Sequence, residues 1–116
     1  MLDVNGPFKI CVVTTTVGSM EDANHLGRSV VQRELAACVQ VDEIAASFYT
    51  WDGKLCAEPE VRLTLKTTAA KLPGLEAFFQ QEHPYELPQF AVCEMTTSKA
   101  YGAWVATNVG PAPSAP

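Results

Sequence analysis

The sequence predicts an α+β domain: a four-stranded antiparallel sheet with helices on one face, a long β2-β3 hairpin and a short C-terminal helix. Three observations predict it. β-Branched extended runs and helical apolar stripes follow the order strand, helix, strand, strand, helix, strand, helix. Between the second and third strands lies Asp52-Gly53, a dipeptide that tolerates the positive φ angles of a tight hairpin turn. Two strand-helix-strand halves with right-handed crossovers leave few ways to wind such a chain, and the outcome is the ferredoxin-like βαββαβ arrangement.

Residues 1–7 read as a flexible lead-in, 8–108 as the folded domain and 109–116, rich in Gly, Pro and Ala, as a disordered tail. Phe8 to Thr16 is apolar and β-branched, as a buried central strand should be. Val17-Gly18 turns the chain, and Ser19 can cap a helix whose first turn carries Glu21 and Asp22, favourable at the positive end of the helix dipole. Ala23, Leu26, Gly27, Val30, Val31 and Leu35 form its apolar stripe, which leaves His25 on the solvated side.

The hairpin spans Leu35 to Thr67. On its way in, Val39 and Val41 are apolar at odd positions and Ile44, Ala46 and Phe48 at even ones, so a bulge or bend is expected at Asp42-Glu43. On its way out, Val61, Leu63 and Leu65 alternate with Arg62, Thr64 and Lys66. The tip carries Tyr49, Trp51 and Leu55 on a two-stranded ribbon too long to cover them itself. These three residues are therefore expected at a subunit interface.

A second helix is expected over about Ala69 to Glu82, with Pro73 near its start and Leu72, Leu75, Phe78 and Phe79 on its buried face. Pro84 and Pro88 hold the next segment, HPYELP, out of regular structure. Phe90 to Thr96 reads as the fourth strand. Ser98 can cap a last helix with Tyr101, Trp104 and Val105 facing inward.

At 116 residues the chain suffices for one domain burying roughly 65% of its unfolded surface. Its net charge of −5 and scattered Lys and Arg argue against nucleic acid as a partner. No apolar run is long enough for a membrane span, and the start lacks the apolar core of a secretion signal. Four widely spaced cysteines with no C-x-x-C pair suit free thiols in a reducing cytoplasm. Phosphate loops, G-x-S-x-G and H-E-x-x-H are absent, so the chain does not read as an enzyme. Acyl-phosphate hydrolysis would want an arginine in the first strand-helix loop, which here is Val17-Gly18-Ser19. RNA-binding sheets would want exposed aromatics on the central strands.

The densest chemistry lies at Glu82-His83-Pro84-Tyr85-Glu86. An imidazole between carboxylates suits a divalent transition metal, but a histidine ending a helix also satisfies free carbonyls, and both readings stand. Arg62 and Lys66, with Tyr85, are candidates for a ligand cleft that takes an anion; a solvated, salt-bridged face is the alternative.

Several strings taken together resemble the CutA proteins, named for divalent-cation tolerance: ELAACV (Glu34 to Val39), FYTWDGKL (Phe48 to Leu55), EVRLTLKTT (Glu60 to Thr68), HPYELPQ (His83 to Gln89) and AYGAWV (Ala100 to Val105). The resemblance makes 8–108 a CutA-like domain. It implies a homotrimer like the PII signalling proteins, with ligands held in clefts between subunits and a further protein reading the trimer. It also implies copper ligation by a cysteine ending the first strand and by two histidines before Pro-Tyr. Here only the second histidine matches, as His83; Glu82 replaces the first, and the strand ends Thr14-Thr15-Thr16-Val17. With one of three ligands kept, the expectation is no required cofactor and at most a weakly held divalent metal, copper or zinc, on His83, Glu82 and Glu86.

Overall fold

The computed structural model describes residues 8–111. It contains β1 (Lys9–Val17), α1 (Met20–Gln32), β2 (Cys38–Trp51), β3 (Lys54–Thr67), α2 (Leu72–Glu82), β4 (Ala91–Thr96) and α3 (Lys99–Val109). A 3₁₀ turn at Ala69–Lys71 precedes α2, so the second helix is regular only from Leu72, one residue before Pro73. The sheet is antiparallel with strand order β2-β3-β1-β4. The expected lead-in, 1–7, lies outside the described residues, as do 112–116 of the expected tail. Val109, assigned to the tail, is instead a fully buried residue of α3.

Alternation along β1 builds both layers of the core. Val13 and Val17 point into the main cluster with Ala23, Leu26, Val30, Leu63, Leu65, Leu75 and Phe79, while Ile10 and Val12 pack on Val105 in a second cluster. Full burial of each such side chain contributes about 1.5–3 kcal/mol. The second cluster corrects one expectation: α1 and α2 share a face of the sheet, but α3 covers the other. β1 is apolar on both faces because both are covered.

The hairpin turn is as expected, with Asp52 at φ 53° and Gly53 at φ 77°. The bulge falls later than predicted. Ile44 pairs with Glu60 and Ser47 with Glu58, so Ala45 and Ala46 together oppose Pro59. Proline has no N–H to offer a ladder and is tolerated where pairing is already broken, which fixes the irregularity there rather than at Asp42-Glu43. Ile44 consequently shares the face of Glu60, and Phe48 lies on the other.

Ser19 and Ser98 cap α1 and α3, accepting hydrogen bonds from the N–H groups of Asp22 and Tyr101. On α3, Val105 is buried and Tyr101 half-buried. Trp104, expected inward, is 46% exposed and stacks on Tyr101 with centroids 5.7 Å apart. Gly102 explains how closely α3 approaches the sheet: a Cβ there would lie 2.6 Å from Phe8 Cβ and 2.7 Å from Thr97 Oγ1. Gly102→Ala is expected to lower the unfolding free energy by about 1–3 kcal/mol, through forced displacement of α3. A lower urea midpoint with an unchanged m-value would show it; an unchanged midpoint would contradict the close fit.

Candidate functional site

The site is positioned by a mismatch in strand length. β4 pairs with β1 from Lys9 only as far as Thr14, whereas β3 continues to Val17. The end of β1 therefore has one open side, and the HPYELP segment is held against it.

His83 makes the attachment. As the C-cap of α2 it is 8% exposed. Its Nδ1 accepts the Tyr85 N–H at 3.1 Å, so the ring proton sits on Nε2, which donates to Thr15 Oγ1 at 2.9 Å. Phe79 and Tyr85 flank the imidazole, each with its centroid 5.4 Å away. Burial holds the His83 pKa below the usual imidazole range; the Thr16 backbone and the Asp22 carboxylate pull the other way without offsetting it. His83 is thus a neutral structural pin.

Tyr85 reaches across the strand ends, where its hydroxyl donates to Glu60 Oε2 at 2.8 Å. Burial alone would raise the Glu60 carboxyl, but hydrogen bonds from Ser47, Tyr85 and Thr16 outweigh it and bring the group below its usual range. Burial, and then the bond to Glu60, push the Tyr85 phenol well above its ordinary value. The pair at neutral pH is therefore a carboxylate and a protonated phenol.

This pair floors a cleft of about 410 Å³. Tyr49, Trp51 and Glu60 of the hairpin form one wall, Pro84 to Leu87 and Gln89 the other, with Thr16 at the base. Tyr49 and Trp51, assigned to an interface from the sequence with an aromatic ligand wall as the alternative, line this cleft and are 39% and 47% exposed. Leu55 does not line it and is 79% exposed. Phe48 is 73% exposed.

The other expected ligand residues go elsewhere. Arg62 forms a fork with Asp42 across the strands, Nε to Oδ1 at 3.1 Å and Nη2 to Oδ2 at 2.6 Å. Lys66 lies over the Tyr101 ring, 5.6 Å from its centroid. Neither lines the cleft, so of the three cleft candidates only Tyr85 is there. Glu60, its central charge, reads in the sequence, like Asp52 and Glu58, as a solubilising edge charge, because carboxylates near a hairpin tip ordinarily serve that end. Its position two residues before Arg62 gave no further signal.

The residues do not fit the metal that the resemblance implies. Both His83 nitrogens are engaged inside the protein, and Glu82 and Glu86 are exposed. Cys11 is buried within β1, where burial and then the Glu94 carboxylate push its thiol up. Among the described residues no three His, Cys, Asp or Glu side chains come together as metal ligands.

The family model described as CutA1 divalent ion tolerance protein matches residues 11–108. A probable divalent-cation tolerance protein cutA homolog of Encephalitozoon cuniculi is 34% identical over 111 residues, 95% of this chain and 94% of that protein. CutA from Synechococcus elongatus superposes with a TM-score of 0.84 at 33% identity, covering 88% of this chain and 91% of that one. Its structure complexed with a Bis-Tris molecule gives 0.79 at 32% identity, covering 87% and 94%. The periplasmic divalent cation tolerance protein CutA of Archaeoglobus fulgidus gives 0.83 at 25% identity, covering 87% and 99%.

The buried neutral imidazole makes stability depend on acid. The unfolded histidine takes its proton near pH ~6.5, before the buried one can, so His83 stability is present above about pH 6.5 and falls below it. Glu60, with its lowered pKa, contributes a second loss below about pH 4.3, where the unfolded carboxyl protonates first. Urea unfolding at stepped pH should show both losses, and His83→Gln should flatten the first while leaving the second. Equal slopes in the two proteins between about pH 6.5 and 5 would contradict the assignment.

Proposed function

The chain belongs to the CutA1 divalent ion tolerance family, and from that membership we propose that it is a homotrimeric response module that works by capturing a small ligand, not by catalysis. The observation that carries this reading is the Glu60–Tyr85 cleft, whose charge and hydrogen bonds are set in advance and whose walls belong to two separate elements. Preorganised polar groups in a partly apolar cleft of this size are the usual form of a small-molecule site. A Synechococcus elongatus relative was solved with a Bis-Tris molecule, which supports capture of small molecules in this fold.

Support for assembly comes from the sheet edges. β2 and β4 each pair on one side only, and Phe48, Leu55, Val92 and Met95 stand exposed on or near them. Open apolar edges of this length favour pairing with another chain. The cleft then sits beside the hairpin tip, where a neighbouring subunit can sense its occupant and pass the signal to a further protein. Among the described residues no helix is long and apolar enough to cross a membrane. Four unpaired thiols suit a cytoplasmic setting. Copper or zinc is not held through His83, both of whose ring nitrogens are engaged within the protein.

Sedimentation velocity tests the assembly. The wild type should run as a trimer at micromolar concentration, and Phe48→Asp with Leu55→Asp should shift it to smaller species; a monomeric wild type would overturn the reading. Calorimetric titrations of Cu²⁺ and Zn²⁺ into wild type and His83→Gln should superimpose. A binding step lost only in the variant would restore His83 as a ligand.

A further inference from the structure

The cleft has a chemistry that selects a class of ligand. Apart from its tyrosines, the ionisable groups lining it are two carboxylates, Glu60 on the hairpin and Glu86 on the loop, and no basic side chain lines it. Glu58 adds a third negative charge close enough to act on both Tyr49 and Tyr85. The guanidinium of Arg62, two residues along β3 from Glu60, is already paired with Asp42. The part of the cleft built by one chain thus carries a negative potential, which opposes phosphates and organic acids.

A bare or hydrated divalent ion is poorly matched as well. Such ions take several oxygen or nitrogen ligands at once, and no three candidate side chains converge among the described residues. Glu60 already accepts the Tyr85 hydroxyl at 2.8 Å, and Ser47 and Thr16 further favour its charged form. What the walls do supply is aromatic surface: Tyr49 and Trp51 on one side, Tyr85 on the other, with Leu87 beside it. A carboxylate at the base of aromatic walls is the arrangement that recognises an ammonium group bearing carbon substituents, by charge and by attraction to ring faces together.

We propose that the Glu60 cleft binds an organic ammonium ion. This rests on the small-ligand reading of the cleft and narrows it to one ligand class. The hydroxyl of Tyr85 and the side chain of Gln89 are placed to hydrogen-bond polar substituents of such a molecule, while Glu60 and Trp51 hold its charged centre.

The test uses the full chain carrying Trp104→Phe, which leaves Trp51 as the single tryptophan, since the sequence has two. Trp51 fluorescence is followed while choline, its neutral isostere 3,3-dimethylbutan-1-ol, and inorganic phosphate are added at constant ionic strength. Choline should give a saturable change with at least about tenfold higher affinity than the neutral isostere, and phosphate none. Glu60→Gln should bring choline and the isostere to within about threefold of each other, with thermal unfolding confirming that the variant is folded. Equal binding of choline and the isostere, or preference for phosphate, overturns the ammonium assignment and leaves the small-ligand reading standing. No response to any of the three probes removes both. The comparison of charged and neutral probes on Trp104→Phe alone decides the matter should Glu60→Gln fail to fold.

Discussion

One short edge governs the functional end of this molecule. β1 is the central strand, yet its neighbour β4 stops at Thr14, and the next residues are left with backbone and side chains open on one side. A buried imidazole closes that gap. His83 joins Thr15 to the Tyr85 backbone with one bond from each ring nitrogen, an arrangement available only to the neutral ring. Everything downstream, including the reach of Tyr85 to Glu60 and the second wall of the cleft, depends on that attachment. A histidine that looks like a metal ligand in sequence is therefore occupied in positioning a tyrosine.

The same attachment shows why the acidic tyrosine-lined cleft has a fixed electrostatic character. Ser47, Thr16 and Tyr85 come from β2, β1 and the loop, and all three favour the charged form of one carboxylate, Tyr85 through a hydrogen bond of 2.8 Å. Without them, burial would favour the neutral acid; with them, the charge persists in a partly dry site. The Tyr85 hydroxyl is thereby fixed on Glu60. The exposed Arg62–Asp42 fork lies on the same sheet but adds little to stability, because water and salt screen an ion pair at the surface.

Much of the fold was legible because local signals agreed with one another. Asp52-Gly53 specified its turn, Ser19 and Ser98 their caps, and the β1 run its central place. Where local pattern and tertiary setting competed, the setting won. The apolar phase of β2 requires a bulge, but its position was decided by Pro59 on the partner strand. Trp104 follows a helical stripe, yet α3 packs on the less crowded face of the sheet and leaves the indole half outside. The cleft was the least legible part. Its residues come from separated segments of the chain, and nothing in the local chemistry of Glu60 marks it as the partner of Tyr85. Tyr85 could be singled out because two prolines constrain its segment; Glu60 could not.

The register of the sheet also orders the way the chain acquires its structure. The hairpin joins residues that are near neighbours along the chain, starting from Trp51 and Lys54, so its closure costs little chain entropy. β1 meets β4 by pairing Lys9 with Thr96, almost the full length of the described chain. Such distant contacts form slowly, because the loop entropy is lost before the contacts compensate for it. The ribbon with its exposed aromatic end thus takes shape while the central strand still lacks a neighbour. In the single chain the outer sides of β2 and β4 and the aromatic tip all face water.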